Sequence, residues 1–164
     1  MAFDGYLQIE GIGGDSTDDA HSEWIEIDGF EHAVSQATGG KASGQGGHAG
    51  GRADHGDFIV HKRLDSSSPA LFLYCCKGQS IGEVVVELCR AVGDKTTFMK
   101  YTFQNVIVSK VNPKGEAQGE DLIPAEEVHF RYSNVMLEYT PTSTDGSTGA
   151  SIQAGWSTQT NTPL

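Results

Sequence analysis

Cations, cysteines and long apolar runs are what this chain has least of. Eleven Lys and Arg stand against 22 Asp and Glu, a formal net charge of −11 at pH 7. A surface of that sign offers few cations to displace the counterions of a phosphate backbone, so neither nucleic acid nor an anionic membrane is an expected partner. Cysteine occurs three times, at Cys75, Cys76 and Cys89. An odd count, two of them adjacent, suits neither a disulfide framework nor the usual spacing of a zinc pair, and the expectation is three small apolar fillers. Nothing approaches the ~20 apolar residues of a membrane-spanning helix. The opening MAFDGYLQIEG has no basic region and no apolar run, so a signal peptide is not expected, and the chain is expected to fold in the cytoplasm.

Glycine is what the chain has in excess, with 21 residues. Eight of them fall in the 19 residues 38–56, TGGKASGQGGHAGGRADHG. A phosphate cradle, a metal loop, a slack linker and an arm toward another subunit all fit that composition. Loops this long are usually functional or disordered, and glycine allows close backbone approach to a neighbour.

The rest alternates with a period of two. FDGYLQI reads as a first strand, with Phe3, Leu7 and Ile9 on one face. WIEIDGFEHAVS alternates until Gly29 and Phe30 break the phase, which predicts a bulge in a long bent strand. DFIVHKRL, IGEVVVELCRAV, TTFMKYTFQNVIVSKV and PAEEVHFRYSNVMLEYTP read as further strands, GDK as a hairpin turn, and IQAGW as a short last one. In PAEEVHFRYSNVMLEYTP the face slips near Ser133 and Asn134, a second predicted bulge. SSSPALFLYCCKG differs in kind. Ser68 as cap, Pro69 at the first position, Lys77 in the last turn and Gly78 as stop predict a helix of about ten residues, apolar enough to need burial on most sides. About seven strands and one helix, without a βαβ rhythm, predict a mainly β fold: a small β-barrel of two antiparallel sheets, one short helix and a long Gly-rich protruding loop. The 164 residues are read as a single domain, 1–164, with the loop at 38–56 and a tail at 159–164.

No catalytic motif fits its context. GQSIG, residues 78–82, has the spacing of a nucleophile elbow, but that chemistry needs strand, serine, helix, and here a helix precedes and a strand follows. GQGGHA, residues 44–49, has the spacing of a dinucleotide fingerprint without the helix whose N-terminus would hold the phosphates. His55, Asp57 and His61, with His129, imitate a two-His-one-carboxylate iron site, but nothing in the sequence orients them. No enzyme, no metal and no cofactor are expected.

The ordered succession of these features resembles the haemolysin-coregulated protein (Hcp) family of bacterial type VI secretion. FDGYLQIEGIGGDSTDDAHSEWIEI resembles the family's opening strand, turn and second strand. SQATGGKASGQGGHAGGRADHGDFIVHKRLDSSSPAL resembles its Ser-Gln pair, Gly-rich loop, strand and Ser-Pro helix start. EDLIPAEEVHFRYSNVMLEYTP and AGW resemble its C-terminal part. The resemblance covers nearly the whole chain. It implies a structural subunit and not an enzyme. Six copies form a ring with an open channel, and rings stack into a tube that a sheath expels from the cell. Small effector proteins ride in the lumen, and a VgrG-type spike caps the tube. The protein would be exported without a signal peptide, and the end at Leu164 leaves no room for an appended toxin domain. Residues 38–56 match the loop that reaches the adjacent ring, with Gly39, Gly40, Gln45, His48 and Arg52 as its contact candidates. FEHAVSQ matches a channel-wall strand, with Glu31 and His32 as lumen candidates. The competing readings are a monomeric β-barrel ligand-binding module and a metal enzyme using His55, Asp57 and His61.

Overall fold

A computed structural model of the chain describes residues 3–39, 49–91, 93 and 95–164. Among them run β1 (Phe3–Ile9), β2 (Ile25–Ile27), β3 (Gly29–Glu31), β4 (Val34–Gly39), β5 (Ala49–His55), β6 (Phe58–Arg63), α1 (Ser68–Lys77), β7 (Ser80–Arg90), β8 (Thr97–Lys114), β9 (Ala125–Arg131), β10 (Asn134–Tyr139), β11 (Ile152–Ser157) and β12 (Thr162–Pro163). Among the described residues the fold is mainly β with one helix, as predicted; its two sheets are a ten-stranded main sheet and the two-stranded pair β4-β5, which stands where a loop was expected.

The 18-residue β8 is the spine. β9 and β10 run antiparallel along its length, from Lys114↔Ala125 to Met99↔Tyr139. The expected single strand over this stretch is two, parted at Tyr132 and Ser133, where the sequence loses its phase. The break lets the outer edge serve two neighbours: β9 takes β6 and β10 takes β11. On its other side β8 takes β7, which takes β1, which takes β2. β6 takes β3. The ladder path β2-β1-β7-β8-β9-β6-β3 thus begins and ends in successive pieces of one chain segment, with Asp28 at the corner. The wrap is closed by that bend rather than by a ladder between its end strands. The Asp28 N–H donates to the His61 carbonyl at 2.7 Å, which pins the corner.

Inside the wrap lie Leu7, Ile25, Phe58, Val60, Val84, Val86, Phe103, Val106, Val128 and Phe130, all fully buried. These are the positions that period-two patterning places on one face. Leu71 is the buried residue of α1. The expectation that this helix is buried on most sides is not met: Phe72 is 63% and Leu73 46% exposed. Lone apolar runs do not say what covers them. The helix cap is also one residue earlier than predicted, at Ser67, while the Ser68 hydroxyl accepts from the Asp65 N–H at 3.0 Å and donates to Glu126 at 2.8 Å. Gly78 closes the helix in the left-handed region at φ 61°, as the stop signal requires.

Candidate functional site

β4 and β5 make a sheet of their own. They pair from Val34↔His55 to Gly39↔Ala49, with a register shift between Gln36 and Thr38. The ends of the expected 38–56 loop are therefore ladder: residues 38 and 39 lie in β4 and residues 49–55 in β5. Side chains 34–38 are all exposed, as are Gly50, Gly51, Arg52 and Asp54. Of the contact candidates, Gly39 sits at the outer end of β4 and Arg52 in β5, while Gly40, Gln45 and His48 lie outside the described residues. Arg52 points back along the arm, its guanidinium donating to the Thr158 carbonyl at 2.6 Å. The root is fixed by the Gly56 N–H to the Ala33 carbonyl, 2.9 Å.

Between the arm's root and the main sheet lies an open apolar groove of about 380 Å³, lined by Val34, Val135, Leu137, Ala154 and Trp156 with His32 and His55. Val34 is half exposed. Beneath the groove the Tyr132 hydroxyl meets both histidines, His32 Nε2 at 2.7 Å and His55 Nδ1 at 3.1 Å. The His32 ring also packs within 6.1 Å, centroid to centroid, of Phe58, Tyr101, Phe103 and Tyr132. Burial, then the nearby His55 charge, holds His32 below its ordinary value. Burial, then Asp57, pushes the Tyr132 hydroxyl up to about 12. A histidine depressed in the fold binds its proton more readily when unfolded. Its contribution to stability is present above the ordinary value of 6.5 and is lost as pH falls from there through the folded value. Stability is therefore expected to drop over that window, and His32→Gln should flatten the drop. Thermal melts of both proteins between pH 7.5 and pH 5, as about the range of a perturbed histidine, check this. Equal slopes would remove His32 as the cause.

The two lumen candidates face opposite ways, as neighbours along extended chain do. His32 turns into the aromatic cluster. Glu31 is exposed and accepts from His61 at 3.0 Å. Around it the outer face of β3, β6 and β9 is laced with opposite charges. Glu127 meets His129 at 2.5 Å, Arg63 meets Asp28 at 3.1 Å, and Arg131 donates to Asp57 at 2.9 Å. Burial pushes the Asp57 carboxyl up, but hydrogen bonds from Ser109 and Arg131 outweigh it and hold it below its ordinary value. Sequence reasoning missed this face as a unit. Asp28 and Asp57 come from the short links beside the strands and the rest from three strands, and it is register (Glu31↔Ile59↔His129 and His61↔Glu127) that sets Glu31, His61 and Glu127 side by side.

The imitation of an iron site dissolves in the fold. His55 bonds Tyr132, Asp57 bonds Ser109 and Arg131, and His61 bonds Glu31. Ser80 opens β7 just after the C-terminus of α1, the wrong order for a nucleophile elbow. Among the described residues there remain a two-stranded arm that pairs with no other strand, an apolar groove at its root and a polar sheet face.

Comparison with known proteins gives the family. A family model described as "Type VI secretion system effector, Hcp" matches residues 6–139. The chain belongs to the Hcp family of type VI secretion proteins. It is similar to protein hcp1 of Pseudomonas aeruginosa, 29% identical over 163 residues that cover 98% of each chain. A solved type six secretion system protein superimposes at TM-score 0.94 with 34% identity, covering 99% of this chain and 100% of that one. Hcp1 from Salmonella typhimurium superimposes at 0.80 with 31% identity, covering all of both chains. The family is one of secreted structural proteins, not enzymes.

Proposed function

We propose that the chain is the tube subunit of a type VI secretion system. Six copies close into a ring around a channel, rings stack into a tube, and the expelled tube carries effector proteins in its lumen. Residues 1–164 act in this as one unit, exported through the secretion machinery. The other partners are the sheath around the tube and a VgrG-type spike at its tip. The observation that carries the reading is the arm. A lone two-stranded ribbon is at best marginally stable in water, and among the described residues β4 and β5 pair with each other and with no other strand. A ribbon this exposed gains its missing contacts on a neighbouring copy. Gly39, Gly40, Gln45, His48 and Arg52 are the proposed contacts between rings. The exposed Phe72 and Leu73 of α1 and the apolar groove supply further surface for association. A head-to-tail contact of unlike patches closes into a ring when its rotation divides a full turn. The Glu31 face is the proposed channel wall. Its charges already have partners within the chain, which leaves a polar, non-adhesive lining, and His32 supports that wall from behind.

Negative-stain imaging with native mass on the same sample tests the reading. Rings of six with a central hole are the expected result. Single subunits at every concentration tried would overturn it in favour of a monomeric ligand-binding module.

A further inference from the structure

The turn between β1 and β2 folds back over the outer face of β1 and β7 and buries a second, polar cluster that the association surfaces do not use. Glu87 and Cys89, two apart on β7, point to the same side of the sheet. His21, 5% exposed, comes down onto them from the turn. Its Nε2 lies 2.7 Å from Glu87 Oε2 and 3.9 Å from Cys89 Sγ. One ligand atom from each of the three lies within 4.8 Å of the other two.

We propose that His21 Nε2, Glu87 and Cys89 form a binding site for a zinc ion. A nitrogen, a carboxylate oxygen and a sulfur are the mixed donors that zinc accepts, whereas calcium and magnesium take oxygen alone. In a tetrahedral site with bonds of about 2.0–2.3 Å, neighbouring donors stand roughly 3.3–3.6 Å apart. The sulfur must close on the nitrogen by a few tenths of an ångström, the carboxylate oxygen must retract from it by about 0.6 Å, and the oxygen and sulfur, within 4.8 Å of each other, must close by as much as about 1.3 Å, all by side-chain rotation. A solvent molecule completes the four.

The surroundings orient the site as metal sites require. Asp18 Oδ2 sits 2.8 Å from His21 Nδ1, the carboxylate-histidine arrangement that keeps the proton on Nδ1 and turns the Nε2 lone pair to the ion. Asp18 is itself held by Lys95 at 2.7 Å. The His21 ring is stacked on Tyr6 at 4.1 Å and met edge-on by Trp24 at 4.8 Å, so its plane is fixed. Thr97 Oγ1 donates to Glu87 Oε2 at 3.1 Å and lies 3.4 Å from Cys89 Sγ. Lys100 stands 3.9 Å from the other Glu87 oxygen. On binding, Nε2 gives up any proton shared with Glu87 and Cys89 gives up its thiol proton, so uptake releases protons to solvent. Burial pushes the Cys89 thiol up, so it is the metal that must draw that proton off. The assignment departs from the sequence reading, which took all three cysteines as apolar filler and expected no metal.

Titration of the full-length, metal-stripped protein with Zn²⁺ against a chromophoric chelator, and with Co²⁺ followed by absorption, tests the site. One ion per chain is expected. Co²⁺ should show the visible bands of a tetrahedral ion and a thiolate-to-metal charge-transfer band. Cys89→Ser should abolish that band. Asp18→Asn should keep it and weaken Zn²⁺ binding by about 10–100-fold. The double variant Cys75→Ser/Cys76→Ser should behave as the parent. No uptake by the parent protein, a band that survives Cys89→Ser, or a band lost in the Cys75/Cys76 variant would each overturn the proposal. The parent and the Cys75/Cys76 variant decide the matter even where Cys89→Ser does not fold.

Discussion

Lys62→Met is expected to lower the unfolding free energy by about 3–5 kcal/mol, the range for a buried ion pair stripped of one partner. Lys62 on β6 is 0% exposed, and Glu126, directly opposite on β9, is 3% exposed. The Lys62 ammonium donates to Glu126 at 2.6 Å and to the Arg63 carbonyl at 2.9 Å, and it lies 2.9 Å from Asp65. Ser68, the first residue of α1, donates to the same Glu126 oxygen. Three elements therefore meet on one carboxylate. Removing the ammonium leaves Glu126 charged and dry with a single hydroxyl donor, and the start of α1 loses its anchor on the sheet. Replacing both members, Lys62→Met with Glu126→Gln, should recover most of the loss, because the cost lies in the orphaned charge rather than in the absent attraction. Urea unfolding reads both as shifts in midpoint at unchanged slope. A loss below about 1 kcal/mol in the single variant, the level of an exposed pair, would mean that water reaches this pair. If the single variant does not fold at all, a soluble and stable double variant carries the same conclusion.

Shortening the arm is expected to abolish stacking while leaving rings intact. Replacing residues 38–51 by Asn-Gly keeps the pairs Val34↔His55 and Gln36↔Ala53 and closes them with a two-residue turn suited to a hairpin. The groove, α1 and the Glu31 face are untouched. Images should show single rings in place of tubes, with native mass unchanged at six subunits. Normal tubes from the shortened chain would show that the arm is not what joins rings. Loss of the rings as well would assign the arm to the contact within a ring.

How much of this was legible in the sequence varies with the range of the interaction. Period-two alternation placed the core faces of β6, β7 and β9, because burial of one sheet face leaves its mark on every second residue. The two phase breaks, at Gly29–Phe30 and at Ser133–Asn134, marked where strands bend or divide. They did not show that the second break hands the sheet edge from β6 to β11, since partner choice leaves no local trace. The α1 stop was legible in Gly78. The exposure of Phe72 and Leu73 was not, because an apolar run names no partner. Arg52 was legible as a bulky polar residue in a Gly-rich stretch, but its bond to Thr158, 106 residues away, was not.

By itself, the sequence determined the mainly β class, the positions of bend and stop, the absence of a catalytic motif in working context, and the family through the order of its segments. These rest on local periodicity, turn chemistry and succession along the chain. Only the tertiary structure decided which charges are buried and which face outward. Lys62 is an ordinary strand lysine until register sets it against Glu126. Glu31 and His32 part company only when adjacent side chains are assigned to opposite faces. His21, Glu87 and Cys89 lie 68 residues apart at the extremes and acquire a shared chemistry only when the turn folds over β7. Interactions that depend on register and closure are set by the whole packing, and no window of sequence contains them.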